Sequence, residues 1–330
     1  MEDILQVIAQ NEKFIIIGHT GPDGDAIGSC FGLALTLEKL GKQVRVVLEA
    51  YPAKYYIIPG RRLLHVGAHS KLEYDVIFAL DCADIQRLGN AKHLFDKATI
   101  DHTKTTVCID HHETNVGYAK YNLIEPQTPS TSEMVFRIID RLVALDMDIA
   151  TAIYAGIVSD TGGFRYKGTT HTTMKIAARL MDTGIPFTDI CNELMYKHRF
   201  SAGKALGRVL ENSGQSANGR IVYSFITREM LAELIADTSD LDGVVEYLMG
   251  TRGADVAVFV YEKASPPLVK ISMRSNGPNV GRVAQQMGGG GHCLAAGCTV
   301  EGSCEEILVQ VITLLEEELQ NYDTANQPQT

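Results

Sequence analysis

The chain has 330 residues, 45% of them hydrophobic and 21% charged, and a formal net charge of −10. That length is about twice a typical single domain and ample for a large core, so two domains are expected. Apolar runs such as Phe14 to Ile17 and Val76 to Leu80 are strand-sized, which excludes a membrane-spanning helix, and seven scattered cysteines exclude a disulfide scaffold and fit reduced thiols in a cytosol.

The start, Met1-Glu2-Asp3-Ile4, is acidic where a secretory leader is basic, so no targeting segment is expected. No lysine or arginine follows Arg282, whereas Glu301, Glu305, Glu306, Glu316, Glu317, Glu318 and Asp323 do. Those seven acids leave residues 1–282 with only −3 of the net charge and imply a solvated, acidic C-terminal helix. A broad basic face for duplex nucleic acid is not expected, nor a membrane partner. A small substrate carrying a few phosphates fits.

In chain order, Lys13 to Gly18 reads as a buried strand and Ala26 to Leu40 as an amphipathic helix closed by Gly41. Strands follow at Gln43 to Leu48, Tyr74 to Leu80 and Thr105 to Ile109. Helices are predicted at Ser130 to Leu145, Ile149 to Val158 and Thr172 to Asp182. Ser130 to Glu133 has capping spacing. This alternation implies an α/β domain with a parallel sheet, helices on both faces, and function at the carboxyl ends of the strands.

Thr188 to Asn212 is helical and mixed, then 213–219 breaks the pattern. A second, smaller α/β domain follows, with strands at Arg220 to Ile226, Ala254 to Tyr261, Leu268 to Met273 and near Gly297 to Val300. Its helices are predicted at Glu229 to Ile235, Asn279 to Met287 and Cys304 to about Tyr322. The expected organisation is a catalytic domain over 1–187, a linker helix and loop over 188–215, a substrate-binding domain over 216–322 and a disordered tail over 323–330, with the active site in the cleft between the domains.

Four segments at strand or helix ends carry metal-type ligands. His19, Asp23 and Asp25 lie in a tight turn forced by Gly21, Pro22 and Gly24. Asp81 ends an apolar strand, Asp110-His111-His112 ends another, and Asp160 sits where a buried helix runs into glycines. A lone strand-end aspartate such as Asp25 or Asp84 serves as an N-cap as readily as a ligand. Four carboxylates and two or three imidazoles on one sheet edge, however, would repel unless cations neutralised them. Two divalent ions balance four carboxylates. Mixed imidazole and carboxylate ligands without thiolate favour manganese, with magnesium, iron or cobalt as alternatives, over structural zinc. Two such ions roughly 3.5–4 Å apart would hold a bridging hydroxide for in-line attack on a phosphoester.

In the second domain, Met287-Gly288-Gly289-Gly290-Gly291-His292 suggests a phosphate nest of successive backbone amides, with His292 as an added donor. Arg274 at a nearby strand end is read as a phosphate clamp. Arg165 fits the edge of the site or a surface pair equally well. His65, His69, His93, His102, His171 and His198 read as surface or capping residues, and Cys293, Cys298 and Cys304 as core thiols. The glycines of 18–28 do not form a dinucleotide fingerprint, because aspartates sit where a pyrophosphate would bind.

These segments, in this order, resemble the successive motifs of the DHH phosphoesterase superfamily: His19 to Ser29, Asp81, Asp110-His111-His112 and Ser159-Asp160-Thr161-Gly162. Gly288 to Gly297 is similar to the glycine-rich signature of the DHH-associated C-terminal domain. The likeness covers about Lys13 to Tyr322. Within the superfamily the chain looks most like the bifunctional oligoribonucleases that also remove a phosphate from 3′-phosphoadenosine 5′-phosphate. The resemblance implies that His19, Asp23 and Asp81 hold one manganese, and that Asp25, Asp81, His111 and Asp160 hold the other. His112 would face the scissile phosphate, Asp110 would support the histidine pair, and Arg274, Gly289, Gly290, Gly291 and His292 would bind substrate. The expected partners are short RNA or small phosphorylated nucleotides, with the oligomeric state open between monomer and homodimer. Rival readings are a phosphodiesterase for cyclic or linear dinucleotides, an inorganic pyrophosphatase and an inactive nucleotide-binding module. The pyrophosphatase is disfavoured by the absence of a basic motif after Arg282, and the inactive module by the intact ligand set.

Overall fold

The computed structural model describes residues 1–65, 72–216, 218–263 and 267–326. His69, Ala217 and the tail residues 327–330 lie outside the described residues. The chain divides into two compact units, Met1–Lys197 and His198–Thr330.

The first unit begins with α1 (Glu2–Gln10), β1 (Lys13–Ile17), α2 (Gly24–Lys39) and β2 (Gln43–Val47). Then come β3 (Val76–Leu80), α3 (Lys92–Ile100), β4 (Thr105–Asp110) and β5 (Tyr121–Ile124). It closes with α4 (Thr131–Leu142), α5 (Met147–Asp160), α6 (His171–Met181) and α7 (Phe187–Cys191). The five strands form one wholly parallel sheet of order β2-β1-β3-β4-β5. The predicted strands and helices are all present, within a few residues of their expected ends.

Period-two alternation sorts the side chains between two faces. Phe14 and Ile16 of β1 and Val76 and Phe78 of β3 pack with α2, α4 and α5. Ile15, Ile17, Ile77 and Ala79 turn the other way, onto Leu94, Phe95 and Ala98 of α3. Both faces are therefore covered, as near-continuous apolar strands require. Elements the sequence reading passed over are α1, α3 and β5. The last is a four-residue edge strand of partly exposed residues, too short and polar to show a period.

Strand order 2-1-3-4-5 reverses direction between β1 and β3. The chain segments leaving those two carboxyl ends therefore diverge and leave a crevice, the place where open α/β sheets bind ligands. α2 starts at that crevice and packs against α5 through a glycine seam. A Cβ on Gly28 would sit 2.5 Å from the Ala152 carbonyl oxygen, and one on Gly32 would sit 2.5 Å from Ile153 Cδ1. Gly24, Gly28 and Gly32 lie four residues apart on one helix face, and Gly156 answers them from α5.

The second unit comprises α8 (Phe200–Glu211), β6 (Gly214–Gln215), β7 (Ile221–Ile226), α9 (Arg228–Glu233) and α10 (Val244–Met249). It continues with β8 (Val256–Glu262), β9 (Leu268–Ser275), α11 (Val280–Gln286), β10 (Gly290–Gly291), β11 (Ala295–Glu301) and α12 (Cys304–Ala325). Its six-stranded sheet, β10-β11-β9-β8-β7-β6, is mixed: β7 and β8 run parallel and the other pairs antiparallel. α8 contributes Ala205 and Val209 to the core beneath β7 and β8. α12 extends to Ala325, so the first residues of the expected disordered tail are helical. Its acidity is also not all solvated. Glu318 is buried and accepts from the Asn279 amide at 3.1 Å, while Ile307, Val311, Leu315 and Leu319 face the core.

The seam yields a stability test. Gly28→Ala should destabilise the protein by about 1–3 kcal/mol, because the intruding methyl meets backbone that cannot move aside. Gly207→Ala, in α8 with open space at its Cβ position, should be neutral or stabilising by up to about 1 kcal/mol from helix propensity alone. Urea unfolding of the two variants against wild type measures both.

Candidate metal centre

Each ligand-type side chain is delivered by an element end at the crevice. His19 follows β1, Asp23 and Asp25 open α2, Asp81 follows β3, Asp110 ends β4 with His111 and His112 next, and Asp160 ends α5. Asp23 is the N-cap of α2 and accepts from the Asp25 and Ala26 amides through Oδ1, at 3.0 and 3.1 Å. Capping therefore falls to Asp23 rather than Asp25. Asp84 caps the 3-10 segment Ile85–Ala91, accepting from the Gln86 amide.

Asp81 is almost wholly buried and stands in the left-handed region, φ 55°. A non-glycine residue in that conformation carries strain of order 1 kcal/mol or more, held in place by its surroundings. Its two carboxylate oxygens face different partners. Oδ2 lies 3.7 Å from His19 Nε2, and Oδ1 lies 3.5 Å from His111 Nε2. Around them, three sets of potential donor atoms each fall within 4.8 Å of one another: His19, Asp23 and Asp81; Asp25, His111 and Asp160; Asp81, His111 and His112. The structure thus brings together all six residues expected to hold metal, together with His112 and Asp110.

The histidines share one device. His19 Nδ1 lies 2.9 Å from the Thr20 carbonyl oxygen, His111 Nδ1 lies 3.1 Å from that of Thr128, and His112 Nδ1 lies 2.7 Å from Asp110 Oδ1. An acceptor at Nδ1 fixes the proton there and leaves Nε2 free for a ligand. Asp110 is fully buried and takes a second hydrogen bond, from Asn115 Nδ2 at 2.7 Å. Burial opposes its ionisation, but the bonds from His112 and Asn115 outweigh it and hold the carboxyl below its usual range. In return Asp110 raises the His112 pKa.

The carboxylates show what the cluster lacks. Burial, then the charges of Asp81 and Asp160, push the Asp25 carboxyl well above its ordinary value. Burial, then Asp81 and Asp23, raise Asp160 to about 8. Burial works against the His19 cation, yet hydrogen bonds to Asp23 and Asp81 raise it to about 10. Protons are standing in for positive charge. Part of the repulsion is relieved by α4, whose first amides, on Thr131 and Ser132, donate to the two oxygens of Asp25 at 2.6 and 2.9 Å. Thr131 Oγ1 also donates to Asp81 Oδ1 at 3.1 Å. The Ser130 to Glu133 segment therefore caps α4, as its spacing predicts, and supports the cluster as well. Neither Thr131, Asn115 nor Thr128 was singled out from sequence. Thr128 and Thr131 act through a backbone group or across 50 to 106 residues of chain, and Asn115, five residues past Asp110, falls in no recognisable motif.

In the second unit, the expected glycine nest is a hairpin. Gly290 and Gly291 form β10 against β11. The amides of Gly288, Gly289 and His292 are engaged with the carbonyls of Gln285, Ala284 and Ala295, so those three do not converge on an open anion site. Arg274, opposite Ala295 on β9, pairs with Glu246 at 2.7 Å. Arg165 Nε donates to the Gly162 carbonyl at 2.9 Å.

A parallel α/β sheet with imidazoles and carboxylates grouped at its switch point, in sets suited to divalent cations, defines a metal-assisted phosphoester hydrolase. Residues 13–157 match the N-terminal domain of the DHH family and residues 218–321 match the DHHA1 domain. The chain belongs to the DHH phosphoesterase family. It is 30% identical over 323 residues to the bifunctional oligoribonuclease and PAP phosphatase NrnA of Thermus thermophilus, covering 97% of this chain and 94% of that one. It is 26% identical to the protein of the same name in Bacillus subtilis, covering 96% and 98%. Among solved structures, an exopolyphosphatase-related protein from Bacteroides fragilis aligns with a TM-score of 0.87 at 27% identity, covering 98% of this chain and 96% of that one. The exonuclease RecJ bound to manganese shares the fold at a TM-score of 0.53 and 14% identity, covering 99% and 94%. Among the described residues no helix is long and apolar enough to cross a membrane.

A proton test follows from the raised pKa values. Ligands must be deprotonated to take an ion, so manganese binding at pH 7 should release protons from His19 and Asp160. Affinity should climb from pH 6 towards pH 9, as Asp160 passes about 8 and His19 approaches about 10. Calorimetry in two buffers of different ionisation enthalpy measures the release. Manganese binding with no proton release would contradict the stand-in role of these protons.

Proposed function

We propose that the protein is a manganese-dependent phosphoesterase. It hydrolyses short oligoribonucleotides to nucleoside 5′-monophosphates and removes the 3′-phosphate of 3′-phosphoadenosine 5′-phosphate. The observation that carries the reading is the divided attention of Asp81, one oxygen towards His19 and the other towards His111. A carboxylate so placed suits a bridge between two cations. His19 and Asp23 complete one position; Asp25, His111 and Asp160 complete the other. Two divalent ions there supply an activated water and offset charge on the phosphoryl oxygens. The names of the two NrnA relatives support the substrate pair.

The chain's own residues do the rest. Asp110 holds the His112 ring with its Nδ1 proton inward, and the same bond raises the His112 pKa, which favours a proton on Nε2 for donation to the substrate. Asp25 is anchored by the α4 amides of Thr131 and Ser132. In the same reading 1–187 is the catalytic domain and 216–322 binds substrate through Arg274, the exposed backbone of Gly290 and Gly291 and the His292 side chain, whereas the Gly289 amide is already bonded to Ala284. Gly290 has open space around it, which suits close approach of a phosphate to bare backbone. Arg274 would exchange Glu246 for that phosphate. All seven cysteines are free thiols, which supports a cytoplasmic setting.

Clustered cations are scarce. Arg61-Arg62 is the one adjacent Lys/Arg pair, and none follows Arg282. A long strand tracked along a basic groove is therefore disfavoured, and selection for short substrates follows. Dimers to pentamers should be cleaved much faster than 20-mers, with a salt dependence matching about two or three phosphate contacts. Asp81→Ala should lose hydrolysis by orders of magnitude while its far-ultraviolet spectrum stays native. Fast, length-independent decay of long RNA with a steep salt slope, or near wild-type turnover by Asp81→Ala, would refute the reading.

A further inference from the structure

The left-handed backbone of Asp81, φ 55°, is a conformation that an aspartate keeps only where its surroundings hold it. On the N-terminal side the hold is plain. The Asp81 amide donates to the Ile109 carbonyl at 3.0 Å, and β3 before it is paired with β4. Beyond Asp81 the chain leaves the sheet, and strand pairing no longer restrains it. The backbone is next fastened at the Cys82 carbonyl, by a residue with no part in the function proposed above. Tyr118 Oη donates to that carbonyl at 2.8 Å.

Tyr118 is brought there by the turn that follows the Asp110-His111-His112 run. Asn115 Oδ1 accepts from the Gly117 amide at 2.8 Å, and Gly117 takes the left-handed backbone, φ 77°, that glycine adopts without steric cost. The half-buried Tyr118 ring then lies edge-on to Phe95 of α3, with centroids 5.5 Å apart. A ring packed in that way fixes where its hydroxyl points. Asn115 reaches the same carbonyl, but its amide has two protons for three acceptors. They are Asp110 Oδ2 at 2.7 Å, the Cys82 carbonyl at 3.2 Å and Cys108 Sγ at 3.4 Å. The short bond to Asp110 claims one proton, and the two long contacts share the other. The Cys82 carbonyl therefore depends on Tyr118.

Asp81 thus sits between two fixed points, one on β4 and one on Tyr118. Relaxation to an ordinary backbone conformation would redirect the chain after it and swing the Cys82 carbonyl off the tyrosine. We infer that Tyr118 is a positioning residue for Asp81. By holding the carbonyl one residue on, it keeps the Asp81 backbone left-handed and its two carboxylate oxygens divided between His19 and His111. The consequence for cations rests on the two-metal reading proposed above, whereas the restraint on the backbone does not.

The test compares two tyrosines in the full chain. Tyr118→Phe removes the hydroxyl and keeps the ring on Phe95. Tyr74→Phe is the control, because Tyr74 Oη donates to the Leu94 carbonyl at 2.8 Å in the core that Phe95 shares. Both variants should lower the urea midpoint by similar amounts. In the metal-free protein, Tyr118→Phe should speed hydrogen exchange at the Asp81 amide by about fivefold to tenfold relative to the Ile77 and Phe78 amides. Its manganese affinity, titrated by calorimetry, should fall by about the same factor. Tyr74→Phe should change neither. Unchanged exchange at Asp81 in Tyr118→Phe overturns the inference, as does an equal change in Tyr74→Phe, which would mark a general loss of stability. Faster exchange with wild-type manganese affinity overturns it as well, since Asp81 would then be aimed without Tyr118. A wild type that takes up no manganese would refute the proposed centre, and exchange at Asp81 alone would then decide whether Tyr118 holds it.

Discussion

The closeness of α2 to α5 governs the catalytic unit. Ordinary side chains keep packed helices 8–10 Å apart, but glycines at four-residue intervals remove that spacing where Gly28 meets Ala152 and Gly156. Asp25 at the start of one helix and Asp160 at the end of the other are thereby drawn to the same place, beside His111. A looser packing would leave each carboxylate hydrated and separate. The close one creates a concentration of negative charge that proteins otherwise avoid. The rest of the crevice answers that charge: the α4 amides donate to Asp25, and the pKa values of Asp160, Asp25 and His19 are raised.

Those answers differ in permanence. The amides of Thr131 and Ser132 are fixed by a helix and cannot leave. Protons can, and on the function proposed above they would leave in exchange for divalent ions. The site is therefore rigid where geometry matters and exchangeable where charge matters. The left-handed Asp81 belongs to the rigid part. Its amide still donates to the Ile109 carbonyl at 3.0 Å, so the strand pairing continues past the point where the backbone turns and aims the side chain at both neighbouring motifs.

Much of this was legible in the sequence because acids and histidines placed directly after apolar runs mark strand ends, and strand ends share an edge in a parallel sheet. His19, Asp81 and the Asp110-His111-His112 run announce themselves in that way. Asp25 and Asp160 were legible as residues, but the means of their meeting was not. The glycines of α2 look like turn or fingerprint residues until α5 is laid against them. In the second unit, a run of glycines was read as backbone freedom, whereas pairing with β11 spends part of that freedom on a hairpin. The acidity of α12 misled similarly, since composition cannot show that Glu318 turns inward to the Asn279 amide.

The distance along the chain between the cluster's parts has a consequence for how the protein acquires its structure. Asp25 and the Thr131 amide that holds it are 106 residues apart, and Asp81 and Thr131 are 50 apart. Contacts between such remote segments form only after most of the intervening chain has been ordered, because loop closure must be met first. A nascent chain emerging from the ribosome therefore displays His19, Asp23 and Asp25 long before α4 and α5 exist to gather them. Alone, three such residues would hold a cation weakly and without selectivity. Choice among ions belongs to the finished fold, so cations bound there stabilise the native state over its precursors by mass action. If these side chains hold the ions as proposed, metal supply would act on the yield of folding as well as on chemistry.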